Sequence, residues 1–476
     1  MTQGMGMKAL EVLIIGAGFG GLGAAIKLRE AGVTDFVILE RAHDIGGTWR
    51  DNQYPGAACD IPSQLYSYSF EPSPGWPRAY ARSGEILRYI QDVAKRHELM
   101  RQVELGQEVQ SMAFDEATGC WQVQTTKGCV WTARSVIMAS GGLSNPQYPN
   151  ISGLESFEGK VMHSARWDHD YDFQGKRVGV VGSGASAIQI VPELVKMAGH
   201  VKVFQRTPAW VLPKAKLLLP EKVARDALFW GHEAMAVGLV WRSPLSRLLE
   251  WRARAHLKRQ VSEPWLRRQL TPSFRIGCKR VLISNNYYPA LQSPNCKLLT
   301  WPIDSIAAQG IRTVEGVEHQ LDCIVFATGF AVAKSGTPFE ILGRGGRVLA
   351  KEWQRGAQAF RSVHVSGYPN LSMILGPNSG PGHNSALFYI EAQIGYAVQS
   401  VLALRQPGSR YLDVKPEAQR RHNQALQKRL ARTNWNSGCK SWYLTADGYN
   451  ATMYPGFATQ YAKQLARLDL RDYVRG

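Results

Sequence analysis

The sequence predicts an α/β protein in which one strand–glycine turn–helix–strand plan is used twice, and three observations carry that expectation. The largely apolar run Glu11–Ile15 leads into Gly16-Ala17-Gly18-Phe19-Gly20-Gly21, and an amphipathic helix is expected over Leu22–Glu30. A second run, Arg177–Val181, leads into Gly182-Ser183-Gly184-Ala185-Ser186-Ala187 and a helix over Ile188–Met197. Each unit closes on a short apolar strand, Phe36–Leu39 in the first and Val201–Phe204 in the second. Together these make two Rossmann-like dinucleotide-binding domains, because a G-x-G-x-x-G/A turn in full strand–turn–helix–strand context is the fingerprint of that unit.

The remaining elements fall around this frame. Met112–Thr132, rich in β-formers and turns, reads as a small antiparallel excursion. Lys214–Arg268 alternates aliphatic and aromatic residues with Arg and Lys at helical spacing, so a helical insertion is expected there, inside the second nucleotide domain. Apolar strands are expected at Asp322–Phe326 and Leu371–Leu375, and a helix over Ala386–Gln393 opened by Asn384 and Ser385. The expected division is 1–150 for the first part of one nucleotide domain, 151–324 for the other with its insertion at 214–268, and 325–476 for the return to the first.

Composition narrows the class. The 476 residues are 45% hydrophobic and 20% charged, enough apolar material for a packed core and too little charge for a disordered chain. The seven cysteines stand at 59, 120, 129, 278, 296, 323 and 439, with no Cys-x-x-Cys spacing. That argues against a zinc ribbon and a vicinal redox pair, and no metal-ligand set is assigned. An odd count fits a reducing compartment. Leu10–Ala25 is apolar but glycine-rich and lacks a strong basic flank, unlike a signal peptide, and Ala227–Trp241 is too short to span a bilayer. A soluble cytoplasmic protein is expected.

The residue at the end of the second strand discriminates the nucleotides. Glu40 stands 24 positions after Gly16, and Arg206 stands 24 after Gly182, so the offset is the same and the charge reversed. A carboxylate there accepts from both ribose hydroxyls, whereas Arg suits a 2′-phosphate. The first site therefore fits FAD or NAD and the second NADPH, with Thr207 adding a hydroxyl. With no Cys-x-x-Cys near the flavin, disulfide reduction is set aside. NADPH oxidation, one-electron reduction and oxygen insertion stay open, because fold alone does not choose among them.

Two longer motifs carry a resemblance. Phe157-x-Gly159-x-x-x-His163-x-x-x-Trp167-Asp168 matches a fingerprint of the type I Baeyer–Villiger monooxygenases, and so does Gly46-Gly47-Thr48-Trp49-x-x-x-x-Tyr54-Pro55-Gly56-x-x-x-Asp60. The resemblance runs from about residue 10 to 460, through Ala327-Thr328-Gly329, Gly376-Pro377-Asn378-Ser379 and Trp435–Tyr443; 214–268 is its least diagnostic part. It implies FAD as prosthetic group, NADPH as reductant and O2 as oxidant. A C4a-peroxyflavin would attack a ketone carbonyl and yield an ester or lactone.

The resemblance also implies site residues. Arg280, in Ile276-Gly277-Cys278-Lys279-Arg280, would be the fixed cation beside the reacting oxygen, with Asp60 holding it. Lys279 would turn toward the NADPH 2′-phosphate. FAD would lie against Gly16, Gly18, Phe19, Gly21, Glu40, Thr48, Trp49, Asp60, Tyr66 and Val109. NADPH would lie against Gly182, Ser183, Gly184, Ser186, Gln189, Arg206, Thr207 and Lys279. His163, between Phe157, Gly159, Trp167 and Asp168, is read as a hydrogen-bonded hinge residue, with domain motion about this link. Trp435–Trp442 is read as a mobile loop over substrate or nicotinamide, and Gly376–Gly380 as facing the flavin ring.

Three functions are weighed. The first is oxygen insertion beside a ketone, the many apolar residues in Ala227–Trp251 leaning toward a hydrophobic one. The second is an N- or S-oxygenase, which would not need Arg280. The third is a membrane-surface or nucleic-acid binder with a vestigial flavin site, although no nucleic-acid signature is present. The formal charge is +18, and 214–268 and 405–432 carry +13 of it, so cofactor binding explains little of the excess. These segments read as solvated helix faces or as a peripheral contact with anionic lipid. Oligomeric state is not legible.

Overall fold

The computed structural model describes residues 9–476 apart from 74, 216–220, 331–336 and 440, with the side chains of 221–224 also outside the description. The expected insertion therefore includes 216–220, which lie outside the described residues.

Burial dictates the first sheet. Leu10–Ile15 pairs in parallel with Phe36–Glu40 on one side and Val130–Met138 on the other, and its inner residues Val12, Leu13 and Ile14 are wholly buried. Such a strand reads as a continuous apolar run because both of its faces are covered. The sheet runs in the order Glu340–Leu342, Val109–Asp115, Cys120–Thr125, Val130–Met138, Leu10–Ile15, Phe36–Glu40, Val103–Leu105, and Leu371–Met373 also pairs with Val130–Met138. The excursion expected at 112–132 is an antiparallel meander built into this sheet. The first helix, Phe19–Glu30, departs from the amphipathic expectation. Phe19, Leu22, Ala24, Ala25, Ile26 and Leu28 are all buried. It lies between the sheet and the helix Ala386–Leu404, so most of its circumference is covered.

The second sheet is all parallel, in the order Cys296–Leu299, His200–Phe204, Arg177–Val181, Cys323–Phe326, Lys160–His163. Cys323–Phe326 runs through the boundary expected at 324. A small antiparallel sheet of Ile303–Ala307, Gly310–Thr313 and Glu318–Gln320, unanticipated from the sequence, packs Ile306 and Ile311 in one cluster with Val181, Phe204 and Ile324. The two chain crossings between the sheets are tied together: Gln147 N donates to Gly329 O at 2.9 Å and Thr328 Oγ1 to Gln147 O at 2.6 Å.

The insertion is helical, with Glu221–Leu239, Pro244–Gln260 and Pro264–Gln269. Pro244 and Pro264 open their helices, where a missing N–H leaves no bond unmade. The insertion leaves and re-enters the domain through two short parallel strands, Val211–Leu212 and Leu282–Ile283. A buried carboxylate helps dock it on the C-terminal part, beside the packing of Ala236 and Val240 on Tyr389 and Trp435. Glu233 accepts from His383 Nε2 at 2.9 Å, Asn384 Nδ2 at 3.1 Å, Ala458 N at 3.0 Å and Thr459 Oγ1 at 2.9 Å. Burial alone would raise this carboxyl, but the hydrogen bonds from His383, Asn384 and Thr459 prevail and hold it at about 2.

The helix expected at Ala386–Gln393 continues to Leu404 and is opened by Ser385, whose hydroxyl accepts from Leu387 N at 3.2 Å. It is the one helix among the described residues long and apolar enough to cross a membrane, and 67% of its apolar window is buried inside the fold. Two of the seven cysteines, Cys278 and Cys439, are joined as a disulfide across 161 residues, a pairing that no local spacing announces. Such a bond is uncommon in the reducing compartment expected from the cysteine count.

Candidate functional site

The two glycine turns do different steric jobs at different positions. A Cβ on Gly21 would sit 1.8 Å from Gly16 O, so close approach of helix to strand requires glycine there. A Cβ on Gly18 would meet nothing nearer than Gly47 Cα at 3.6 Å, and one on Gly184 would meet nothing within 4 Å. The protein itself does not need those two glycines. Each leaves a cradle at a helix N-terminus, the shape and polarity a pyrophosphate takes. The turns therefore fit FAD and NADPH on their own geometry.

The strand-end residues lie as the offset predicts, with one addition. Glu40 is buried; Oε2 accepts from Ala17 N at 2.9 Å, and Oε1 from Ala42 N at 3.0 Å and Arg50 Nη1 at 2.9 Å. Arg50, passed over in the sequence, thus balances the carboxylate expected at the ribose. Ser183 Oγ donates to Thr207 O at 2.7 Å, tying the second turn to its strand end. Arg206 is exposed, and Lys279 approaches it closely enough that burial and the neighbouring guanidinium lower the Lys279 ammonium below its ordinary value. Two cations from separate segments thus lie close together, Lys279 also standing over the Phe274 ring at 5.0 Å.

Asp60 and Arg280 meet as a bidentate pair, Nε to Oδ2 at 2.7 Å and Nη2 to Oδ1 at 2.6 Å. Their side chains remain 21% and 40% exposed, so the pair borders open space. The Asp60 charge holds Arg280 protonated against burial. Burial would raise Asp60, but the Arg280 charge and hydrogen bonds outweigh it and keep the carboxyl below its ordinary value. Among the described residues Nη1 of Arg280 makes no hydrogen bond, so part of the fork faces outward.

Aromatic groups wall this space. Trp49 Nε1 donates to Tyr66 Oη at 3.3 Å, and Tyr66 meets Phe19 edge-on at 5.6 Å. Thr48 begins the short helix Thr48–Asp51 that carries Trp49. Two residues at the site were not singled out in the sequence. Tyr443 is buried beside Arg280, and burial, eased by Arg280, pushes its hydroxyl up to about 12. Lys214 stands over Tyr80 at 4.7 Å and lowers the Asp60 carboxyl further. Neither belongs to a local motif.

Other expected residues occupy structural positions. Val109 is buried in the first sheet's core, so its side chain packs against protein. Gln189 Oε1 accepts from Tyr54 Oη at 2.9 Å and its Nε2 donates to Ala58 O at 3.0 Å, joining the two nucleotide units. Ser186 is the residue before the helix Ala187–Met197. Phe157 is buried, and a Cβ on Gly159 would sit 2.5 Å from its ring. His163 Nδ1 accepts from Ala165 N at 3.1 Å, and burial lowers the ring to about 4, so it is neutral. It packs on Tyr148 and Phe330, one from each crossing. Trp167 stacks on Phe173, and Asp168 pairs with Lys160.

Comparison with known proteins agrees with this geometry. A family model described as pyridine nucleotide-disulphide oxidoreductase matches residues 13–219, the stretch holding both turns. A Baeyer-Villiger monooxygenase of Streptomyces coelicolor is 42% identical over 98% of this chain and 92% of its own length. One of Pseudomonas aeruginosa is 41% identical over 97% and 91%. Among solved structures, an oxidised steroid monooxygenase bound to NADP superposes with a TM-score of 0.86 at 29% identity, covering 98% of this chain and 99% of that one. Cyclohexanone monooxygenase from Rhodococcus sp. Phi1 bound to NADP+ gives 0.87 at 28%, covering 98% and 99%.

Proposed function

The chain belongs to the Baeyer–Villiger monooxygenases, and from that premise we propose which of its residues serve the reaction. The protein is an NADPH-dependent flavoprotein monooxygenase that inserts one oxygen atom from O2 beside a ketone carbonyl, giving an ester or lactone, with FAD and NADPH as cofactors. Bound FAD supplies the redox chemistry, accepting hydride and activating O2.

The rest falls to the chain. Arg280 is the fixed cation for the oxyanion that develops on the ketone oxygen. The observation that carries this assignment is the two-point bond to Asp60, which keeps the fork from rotating and, among the described residues, leaves Nη1 without a hydrogen bond. A donor held in place before the reaction needs no reorganisation during it. Gly16, Gly18, Gly21 and Glu40 take the FAD pyrophosphate and ribose, with Arg50 steadying Glu40. Phe19, Thr48, Trp49 and Tyr66 line the flavin, and Val109 contributes backbone only. Gly182, Ser183, Gly184, Ser186 and Thr207 cradle NADPH; Arg206 and Lys279 receive its 2′-phosphate, and Gln189 acts between the domains. Phe157, Gly159, His163, Trp167 and Asp168 form the hinge. We place the domain division at 1–150, 151–326 and 327–476, because the strand Cys323–Phe326 crosses the boundary expected at 324.

The substrate is a small-molecule ketone; a hydrophobic one suits the aromatic wall. An N- or S-oxygenase would leave the Asp60–Arg280 pair without a task, which disfavours that reading. The enzyme is assigned to the cytoplasm. A peripheral contact with anionic lipid is supported by Trp230 and Trp251, 61% and 65% exposed on helices that also expose Arg247, Arg252 and Arg254. Salt-sensitive sedimentation with anionic liposomes, absent from a Trp251→Ser variant, tests it.

The function itself is tested with a ketone panel. NADPH and O2 consumption should be stimulated by a ketone, with a product one oxygen heavier by mass. NADPH oxidation with no ester from any ketone would overturn the proposal.

A further inference from the structure

The disulfide Cys278–Cys439 joins two parts of the site that differ in how firmly they are held. Cys278 is fully buried, two residues before Arg280, on a segment pinned from several sides. Ile276 N donates to Glu250 Oε1 at 3.0 Å, and a Cβ on Gly277 would sit 2.4 Å from Leu239 O. Cys439 lies in the loop 434–443, half-buried beside exposed Gly438. That loop is fixed at its roots. Asn434 Nδ2 donates to Gly238 O at 3.0 Å and Trp241 O at 3.1 Å, and Leu444 bridges to Asn450. Its tip is different: among the described residues, Gly438, Cys439 and Trp442 make no hydrogen bond outside the loop, and Ser441 O accepts only from the adjoining Leu444 N at 3.2 Å. Among the described residues, the covalent bond is the link that ties the tip to the Arg280 segment.

We infer that Cys278 and Cys439 form a thiol–disulfide switch, closed by hydrogen peroxide and opened by a dithiol, that fixes or frees the loop tip at Gly438, Cys439 and Trp442 beside the Arg280 segment. The Cα atoms are 6.2 Å apart, an ordinary disulfide span. In the reduced protein the more accessible Cys439 thiolate attacks one oxygen of hydrogen peroxide, giving a sulfenic acid and hydroxide. The Cys278 thiolate then attacks that sulfur and displaces hydroxide, forming the S–S bond. Two thiols and one hydrogen peroxide become one disulfide and two waters; the sulfurs lose two electrons and the peroxide oxygens gain them. A dithiol reverses this by exchange and leaves as its own disulfide. The oxidant is at hand, since NADPH, a proton and O2 give NADP+ and hydrogen peroxide whenever oxygen transfer fails. In a reducing compartment a disulfide of this kind is a transient, sensing bond. The closed form slows passage of nucleotide or ketone beneath the tip, because a loop that must open for exchange is tethered.

The activity readout rests on Arg280 serving the reaction; the linkage and the loop's accessibility do not. Holoenzyme reduced with dithiothreitol, desalted, and treated with hydrogen peroxide is digested without reduction and mapped by mass. A peptide joining Cys278 to Cys439 is expected, with slower limited proteolysis at 434–443. Ketone-dependent turnover should fall on the order of fivefold and recover with dithiothreitol, as expected when loop opening limits the cycle. In Cys439→Ser the ratio of peroxide-treated to reduced turnover should be one, while Cys129→Ser responds like the parent. Absence of the linked peptide overturns the inference. So does a linked enzyme whose loop proteolysis and turnover match the reduced form, or equal peroxide inactivation of Cys439→Ser.

Discussion

Arg280 donates from Nε and Nη2 to both carboxylate oxygens of Asp60, bringing together residues 220 apart in sequence. The geometry makes Asp60 a clamp and Arg280 the working group. Arg280→Ala should therefore lower ester formation by about 10²–10³-fold, the loss that follows removal of one preorganised oxyanion donor. Arg280→Lys should recover little of it, since an ammonium on a flexible stem lacks the planar fork that meets both Asp60 oxygens side by side and fixes the outward donor. Ester yield per NADPH consumed, with flavin content measured alongside, separates this from loss of cofactor.

Arg206 and Lys279 predict the nucleotide preference. Arg206 follows the strand that closes the second unit, and burial and the Arg206 guanidinium lower the Lys279 ammonium, so the two cations lie close to one another. Arg206→Ala should raise the KM for NADPH about tenfold, roughly one charge-assisted contact, and leave the KM for NADH unchanged. Steady-state kinetics with both nucleotides check it; an equal rise for NADH would mean that the turn itself had been disturbed.

Glu233 gives a pH dependence whose sign follows from its shift. The folded carboxyl is depressed from 4.5 to about 2. Its contribution is therefore fully present above about 4.5 and is lost as pH falls toward 2, a span worth about 3 kcal/mol by linkage. Glu233→Gln should unfold at lower urea than the parent at pH 7, and the gap should narrow as pH is lowered through 4 toward 3. A gap that stays constant with pH would show that the carboxylate charge is not what binds the insertion to His383, Asn384 and Thr459.

What could be read from the sequence was what is local. The glycine turns, the strands beside them and the opposed charges of Glu40 and Arg206 follow from spacing within one unit. Asp60 and Arg280 became a pair only through resemblance, because nothing in composition joins positions 220 apart. The Cys278–Cys439 bond, Glu233 with His383, and Tyr443 beside Arg280 were not legible for the same reason: each is made by the docking of distant segments. The helices misjudged were the buried ones. Phe19–Glu30 and Ala386–Leu404 lie between other layers, so neither had to carry the one-sided apolar stripe that marks a surface helix.

The two kinds of glycine in the first turn can be separated by experiment. Gly21→Ala places a methyl where Gly16 O already stands, 1.8 Å away, and backbone cannot yield as a flexible side chain would. The helix Phe19–Glu30 would have to leave the sheet, so this variant should lose stability by several kcal/mol, as overpacked cores do, and yield little soluble protein. Gly18→Ala meets only Gly47 Cα at 3.6 Å, an ordinary contact, and its extended backbone at φ −90° suits alanine. It should fold with a melting temperature close to that of the parent's apoprotein. What it fills is the space for the pyrophosphate, so purified Gly18→Ala should carry less flavin and regain it poorly on adding FAD. Visible absorbance reports flavin content and thermal unfolding of the apoproteins reports stability. A Gly18→Ala protein as yellow as the parent would mean that the pyrophosphate does not approach the chain at this turn.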